Sequence, residues 1–194
     1  FQLKEDELLQ AFDHCKSFGM EPLCTPWDLE SLATLEAYGM QAYKLASADL
    51  SNHDLLEAMA KTGKLIIAST GMSNEAEIRA AVKLLQRNNA NYVLLHCNST
   101  YPAPFKDVNL NYLDRLAEIG SCPVGYSGHE RGVHVPIAAV AKGAKVIEKH
   151  FTLRRADGGI DSAFSLEPEE LKALVNETKN AFLALGEISY GVQQ

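Results

Sequence analysis

The chain has 194 residues, 46% hydrophobic and 22% charged, which is typical of one soluble globular domain. Its formal net charge of −7 argues against a nucleic-acid or anionic-membrane partner, and no apolar run approaches the roughly 20 residues that span a bilayer. Cys15, Cys24, Cys97 and Cys122 lack CxxC spacing and predict free thiols, which, with no secretory signal, indicates the cytoplasm.

Short apolar runs alternate with amphipathic segments of helical period along the whole chain. In chain order we predict helix 5–18, strand 20–25, helix 28–39, strand 42–47, helix 52–62, strand 65–70, helix 73–87, strand 92–97, a short helix near 110–116, strand 123–127, helix 135–142, strand 144–150 and a last helix that opens at Pro168. The strands lack strict alternation, which is typical of strands buried on both faces of a parallel sheet. Strand–helix repeats of this kind indicate right-handed βαβ units in a single domain, residues 1–194.

Polar residues end every predicted strand, and this feature distinguishes a barrel from an open sheet. They are Thr25, Ser47, Ser69, Ser99, Ser127 with His129, and His150. A ring of such residues at the carboxyl ends is the active-site layout of a (β/α)8 TIM barrel, whereas an open sheet concentrates its ligands at one switch point. No GxGxxG or GxxxxGK[ST] motif favours a nucleotide site. We therefore predict a TIM barrel truncated to about six βα units.

His129 in GYSGHE and His150 in EKHFT end consecutive predicted strands, so both side chains should reach one barrel mouth. Two imidazoles that leave positions open for water and substrate oxygen suit an exchangeable Mn²⁺, Mg²⁺ or Co²⁺ ion better than structural Zn²⁺. From spacing alone, two unrelated structural histidines are an equal alternative. His14, His53, His96 and His134 are interpreted as structural or surface residues.

The strand-end hydroxyls and Lys44 form a second constellation, which would suit a phosphate or carboxylate dianion. Any single serine or threonine could simply begin a loop. Lys44 lies within an apolar strand, where a lysine needs a partner; it could pair with Asp49, bind phosphate or act as a Schiff-base nucleophile. Asp161 follows Gly158 and Gly159 in a loop that could close over a substrate.

Six motifs, taken in order over essentially the whole chain, resemble the N-acetylneuraminate (sialic acid) synthase family, which includes legionaminic and pseudaminic acid synthases and a spore-coat polysaccharide biosynthesis protein. The motifs are LCTPWD, AYKLASADL, GKLIIASTGM, VLLHCNSTYPAP, VGYSGHE and VIEKHFTL. The resemblance implies a transferase that condenses phosphoenolpyruvate with an N-acyl hexosamine of the N-acetylmannosamine type and releases phosphate.

The same resemblance implies roles for individual residues. His129 and His150 would be the metal ligands, and Tyr101 and Asp161 would contact the sugar. Asp49 stands where many members carry a glutamate proposed to handle protons. Gly128 replaces an aspartate found in many bacterial members. The residues implied around phosphoenolpyruvate are Thr25, Lys44, Ser47, Ser69, Ser99 and Ser127.

Family members also carry two earlier strands and a C-terminal antifreeze-like domain that reaches into the partner subunit. The chain begins at Phe1 and contains neither part, so we expect a piece of a longer, homodimeric parent and an inactive fragment. Two alternatives stay open: a Schiff-base pyruvate aldolase that uses Lys44, and a non-catalytic barrel fragment that binds sugar phosphates.

Overall fold

The computed structural model of the protein describes residues 3–186. In this part of the chain the order of elements is α1 (Glu5–Ser17), α2 (Leu29–Tyr38), β1 (Ala42–Leu45), α3 (His53–Lys61), β2 (Leu65–Ser69), α4 (Glu75–Arg87), β3 (Tyr92–Cys97), α5 (Phe105–Val108), α6 (Tyr112–Gly120), β4 (Val124–Gly128), α7 (His134–Ala141), β5 (Ile147–Lys149) and α8 (Pro168–Leu185). Short 3-10 turns lie at Ser47–Asp49, Arg155–Asp157 and Ser162–Phe164. No helix among these residues is both long and apolar enough to cross a membrane.

The strands form one five-stranded sheet in the order β1-β2-β3-β4-β5. β1 pairs with β2, β3 with β4, and β4 with β5, each in parallel. A doubly wound sheet reverses its strand order at a switch point, whereas a TIM-type barrel keeps the sequential order seen here. The predicted α/β class is confirmed, and the topology is that of part of a TIM-type barrel.

The first predicted strand, 20–25, does not form. The segment contributes only an isolated parallel bridge between Cys24 and Tyr43, in which the Lys44 amide donates to the Cys24 carbonyl. Pro22 and Pro26 flank this bridge. Proline has no N–H to donate, so the ladder cannot extend in either direction.

Helix boundaries follow the cap residues that the sequence offers. The Asp28 carboxylate accepts from the Ser31 amide at 2.7 Å and begins α2. Gly39 ends α2 with φ 82°, a left-handed conformation that glycine adopts without strain. Pro168 opens α8, where its missing N–H has no partner to lose. These boundaries were predicted from the sequence.

The described residues divide into two compact units, 3–68 with 73–93, and 69–72 with 94–186. In the first unit, buried side chains of β1 and β2 and the amphipathic faces of α3 and α4 form the core, including Tyr43, Leu56, Ile66, Ile78 and Leu85. In the second unit, α6 and α7 pack on β4, and α8 packs on α7. Its core includes Leu95, Leu116, Tyr126, Ala139 and Leu166.

Candidate active site

The parallel register of β4 and β5 positions the site in the second unit. Ser127 pairs with Glu148 in the ladder, and the Ser127 hydroxyl donates to the Glu148 carboxylate at 3.0 Å. His129 and His150 lie two residues further along the chain, just beyond the ends of β4 and β5. Because side chains alternate with a period of two, Ser127, His129, Glu148 and His150 share one face of the sheet.

The two predicted ligand histidines lie together, with ring centroids 5.2 Å apart. His129 Nδ1 lies 2.7 Å from the Asn98 carbonyl, which can only accept, so Nδ1 carries the proton and Nε2 keeps a lone pair. His150 Nδ1 faces the Asp161 carboxylate at 3.5 Å, a charge contact longer than a hydrogen bond. Each ring is therefore held from its Nδ1 side, as in many metal-binding histidines.

The environments of the two imidazoles shift their pKa values in opposite directions. Burial lowers the pKa of His129, but contacts with the Cys97 sulfur and the Asn98 carbonyl, together with the Glu148 charge, outweigh burial and raise it. For His150, burial and the neighbouring His129 lower the pKa, against the opposing charges of Asp161 and Glu148. His150 is thereby biased toward the neutral imidazole that a metal requires.

Aromatic rings surround the histidine pair. Tyr101, which was predicted to contact the sugar, packs against His129 as a tilted ring pair with centroids 4.2 Å apart, and it remains half exposed. Phe164, which is buried, packs against His150 at 5.0 Å. Burial raises the pKa of Tyr101, and the charge of Asp161 adds to that rise. One side of the site is thus lined by the buried Phe164 ring and by the half-exposed Tyr101 phenol.

The donor set fits an exchangeable divalent ion. Both imidazoles can offer Nε2, and no group of three or more His, Cys, Asp or Glu residues that could hold a metal occurs within residues 3–186. Two nitrogen ligands would leave most coordination positions for water and substrate oxygen, which suits Mn²⁺-type ions.

The predicted hydroxyls of the second unit differ in their partners. Ser69, at the end of β2, is 2% exposed, and its hydroxyl has no hydrogen-bond partner within the part of the chain that the structure describes. Ser99 is half-buried, with its hydroxyl 4.0 Å from the Cys97 sulfur. The neighbouring Thr70 bonds the Leu95 carbonyl through both its amide and its hydroxyl, which fixes the segment that carries Ser69.

Four predicted site residues belong to the first unit, where each follows or occupies a strand. Thr25 is half-buried, directly after the Cys24 bridge. Lys44 lies within β1, and its ammonium donates to the Leu45 carbonyl at 2.9 Å. Ser47 and Asp49 bound the 3-10 turn after β1, and Asp49 accepts from the Asn52 side chain at 3.2 Å.

Three charged residues that were not predicted from the sequence lie next to the predicted ligands. Glu148 shares the histidine face and bonds Ser127. Glu130 and Lys149 form a buried ion pair at 3.1 Å, with side chains 0% and 1% exposed. Glu148 lies two positions before His150, so the period-two alternation of strands could have identified it, whereas no local pattern marks the Glu130–Lys149 pair, whose members are far apart in sequence. All four cysteines are free thiols, as predicted.

Comparisons with known proteins give the chain its family. The NeuB family profile matches residues 1–190. N,N'-diacetyllegionaminic acid synthase of Campylobacter jejuni is 45% identical over 177 residues, which cover 90% of this chain and 53% of that protein. Pseudaminic acid synthase of Helicobacter pylori is 36% identical over 179 residues, which cover 92% of this chain and 53% of that protein.

A solved structure agrees. N-acetylneuraminic acid (sialic acid) synthetase of Leptospira borgpetersenii, solved with citrate, superposes with a TM-score of 0.95 at 36% identity, covering 99% of this chain and 67% of that one. The chain spans about half the length of the curated relatives it matches. A profile match over nearly every residue, relatives above 30% identity and the shared fold lead to one conclusion: the chain belongs to the NeuB family, whose named members here are synthases of sialic, legionaminic and pseudaminic acids.

Proposed function

We propose that the protein carrying this chain condenses phosphoenolpyruvate with an N-acyl hexosamine of the N-acetylmannosamine type, giving a nonulosonic acid and phosphate. The observation that carries the proposal is the His129–His150 pair, in which the His129 Nδ1 bonds the Asn98 carbonyl and the His150 Nδ1 faces the Asp161 carboxylate, so that both Nε2 atoms could bind a metal. Family membership supports the class of product.

In this proposal His129 and His150 hold one divalent ion, Mn²⁺, Mg²⁺ or Co²⁺. Bound there, it would supply Lewis-acid polarisation of the sugar aldehyde. Tyr101 and Asp161 orient the sugar beside it. The half-exposed Tyr101 ring offers a face for the sugar, and the Asp161 carboxylate accepts from sugar hydroxyls as well as facing His150.

The remaining residues act on phosphoenolpyruvate. Its enol carbon attacks the sugar aldehyde carbon, water adds to the resulting C2 cation, and the adduct collapses as the C–O bond to phosphate breaks. Lys44 contributes a positive charge toward the dianion, and Thr25, Ser47, Ser69, Ser99 and Ser127 donate hydrogen bonds. Asp49 is proposed to handle protons. Glu148, which accepts from the Ser127 hydroxyl at 3.0 Å, is a carboxylate beside the histidine pair and is proposed as a separate candidate for proton transfer.

The proposal extends to the whole protein: a TIM-barrel catalytic domain of which residues 1–194 are part, in a cytoplasmic homodimer. The number of βα units and the subunit count belong to the proposal.

The deciding experiment measures phosphate release from phosphoenolpyruvate and N-acetylmannosamine by the protein that carries this chain. We expect a chelator to abolish release, Mn²⁺ to restore it, and His129→Ala or His150→Ala to lower kcat by several orders of magnitude. Activity that survives chelation in His129→Ala would contradict the metal role.

A Schiff-base aldolase would behave differently, because borohydride would trap pyruvate on Lys44 without any metal. A non-catalytic fragment would bind ligand without phosphate release.

A further inference from the structure

The Glu130–Lys149 ion pair joins the two strands directly behind the histidine pair. The last ladder pair of β4 and β5 is Gly128 with Lys149. Glu130 follows His129, and Lys149 precedes His150. The ion pair therefore crosses between the strands at the residues next to the two imidazoles, on the sheet face opposite to them.

Glu130 is held at three points. Its carboxylate accepts from Lys149 Nζ at 3.1 Å and from the Tyr126 hydroxyl, and its main-chain carbonyl also accepts from Lys149 Nζ. A Cβ added at Gly128 would lie 2.7 Å from Glu130 Oε2, so the carboxylate fills the space that the missing side chain leaves. Lys149 thus ties both the side chain and the main chain of the turn after His129.

The main chain around each imidazole is fixed on its other side as well. The His129 carbonyl accepts from the Ala103 amide at 3.1 Å, and the His150 carbonyl accepts from the Leu166 amide at 2.8 Å. A shift of the main chain at either histidine relative to the other would therefore strain the cross-strand ion pair.

Stability alone gives a weak reason for this pair. Both side chains are essentially unexposed, and burying two charges commonly stabilises a protein no more than apolar residues of the same volume would. A geometric role accounts for the charges better, since an ion pair with three bonds fixes a distance that apolar packing does not.

We propose that Glu130 and Lys149 are positioning residues that set the separation and orientation of the His129 and His150 rings for a divalent ion. The inference rests on the proposed function.

The test replaces both charges at once in the protein that carries this chain, as Glu130→Met/Lys149→Met, so that no unpaired charge is left buried. Mn²⁺ affinity is measured from the free-ion EPR signal, and folding from thermal unfolding. We expect cooperative unfolding near the wild-type midpoint and Mn²⁺ binding weakened by about 10- to 100-fold, the usual effect of removing residues that support metal ligands. Unchanged Mn²⁺ affinity in the folded double variant overturns the inference.

The matched control is the exposed ion pair Lys142–Asp114, joined at 2.9 Å in the same unit. Lys142→Met/Asp114→Met should leave Mn²⁺ affinity at the wild-type value, and an equal loss there would show a non-specific effect and overturn the inference. If the buried double variant fails to fold, Glu130→Gln keeps the side-chain volume and removes the charge. We then expect a several-fold loss of Mn²⁺ affinity, and an affinity equal to that of the wild type would overturn the inference.

A further readout separates this inference from the proposed function. The metal assignment fails if the wild type binds no Mn²⁺, or if it binds Mn²⁺ that the His129→Ala variant binds equally well. The ring positions in metal-free crystal structures then decide: a changed 5.2 Å separation in the double variant supports positioning, and an unchanged one overturns it.

Discussion

The Ser69 hydroxyl is buried and has no hydrogen-bond partner among residues 3–186. A buried hydroxyl that stays unsatisfied costs about 1–3 kcal/mol. Such a group is a candidate for a bond made only with substrate. Because its oxygen is shielded from solvent, that bond requires the side chain to rotate.

Replacement of Ser69 by alanine should separate stability from binding. We expect Ser69→Ala to leave the free energy of unfolding unchanged or to raise it by up to about 1 kcal/mol. The KM for phosphoenolpyruvate should rise about tenfold, since a hydrogen bond to a charged group contributes about 1.5–3 kcal/mol. Urea denaturation and steady-state kinetics check the two parts.

The control for Ser69 is its neighbour Thr70, whose hydroxyl already bonds the Leu95 carbonyl at 3.0 Å. Thr70→Val should lower the unfolding free energy and leave the KM for phosphoenolpyruvate unchanged. A destabilised Ser69→Ala with unchanged KM would assign Ser69 a purely structural role.

The positions of His129 and His150 in the sequence predicted that the two histidines lie close together, but not which residues surround them. His129 and His150 were predicted together because both end consecutive strands, and parallel strands bring their ends to one edge. Glu130 and Lys149 were missed because a charge next to a strand end resembles a solvated loop residue. Their burial depends on a cross-strand partner more than a dozen residues away, which no local pattern reveals.

At the level of elements, Gly128 explains how the end of β4 accommodates Glu130, two residues later. A side chain at position 128 would meet both the Glu130 carboxylate and the Tyr126 ring at 2.7 Å. Glycine at this position is therefore matched to the Glu130 carboxylate that lies against it.

Gly128→Ala should destabilise the protein more while that carboxylate is present than after its removal. In the wild type we expect a loss of about 1–3 kcal/mol in unfolding free energy, the usual cost of overpacking. In a Glu130→Ala/Lys149→Met background the cost should fall by at least about 0.5 kcal/mol, which a double-mutant cycle measures. Gly125 is the control: its added Cβ would meet Leu95 and Val146 instead, so Gly125→Ala should cost the same in both backgrounds. If Gly128→Ala costs the same unfolding free energy in both backgrounds, positions 128 and 130 are not coupled.

His96 links β3 to the short helix α5 and gives a second prediction at this scale. Its Nε2 donates to the Val108 carbonyl at 2.6 Å, and its ring is 8% exposed. Burial lowers the pKa of His96 below its ordinary value, against the opposing effect of carbonyls at positions 108 and 109. The unfolded chain therefore binds a proton on this ring at a higher pH than the folded chain does.

The sign follows from proton linkage: where the unfolded state binds more protons, stability rises with pH. Wild-type protein should lose unfolding free energy as pH falls below about 6.5, the ordinary histidine pKa, toward the lowered folded value. His96→Gln should be less stable than wild type at pH 7.5, and the gap should narrow at pH 5.5. Urea denaturation at both values, with His14→Gln as a surface baseline, measures the gap; a constant gap would refute the linkage.

Element boundaries were predictable where caps and periodicity agreed, and failed where backbone chemistry intervened. β3 was placed correctly, residues 92–97, because its apolar run ends at a polar loop. The segment before Thr25 has the same apolar composition, yet Pro22 and Pro26 limit it to one bridge. Composition describes which side chains prefer burial, whereas the ladder depends on available amide donors.

For the whole molecule, the sequence predicted the parallel class and the sequential strand order, because short βα repeats leave few other topologies. The family resemblance implied a substrate for each polar strand end, and that assignment stays a prediction. That assignment depends on charge: a dianion is best served by Lys44, whereas neutral sugar hydroxyls suit a carboxylate acceptor such as Asp161.

Steady-state kinetics of the protein that carries this chain can separate the two roles. Lys44→Met removes a point charge and should raise the KM for phosphoenolpyruvate about 10- to 100-fold, with a smaller effect on the KM for N-acetylmannosamine. Asp161→Asn should do the reverse, because the amide keeps the side-chain shape but offers a weaker acceptor to sugar hydroxyls. The charge-matched control is Lys142→Met, which removes the lysine that pairs with Asp114, and it should change neither KM. If Lys44→Met and Asp161→Asn weaken both substrates equally, the proposed division between phosphate and sugar contacts is wrong, and the two residues act through the fold rather than on separate substrates.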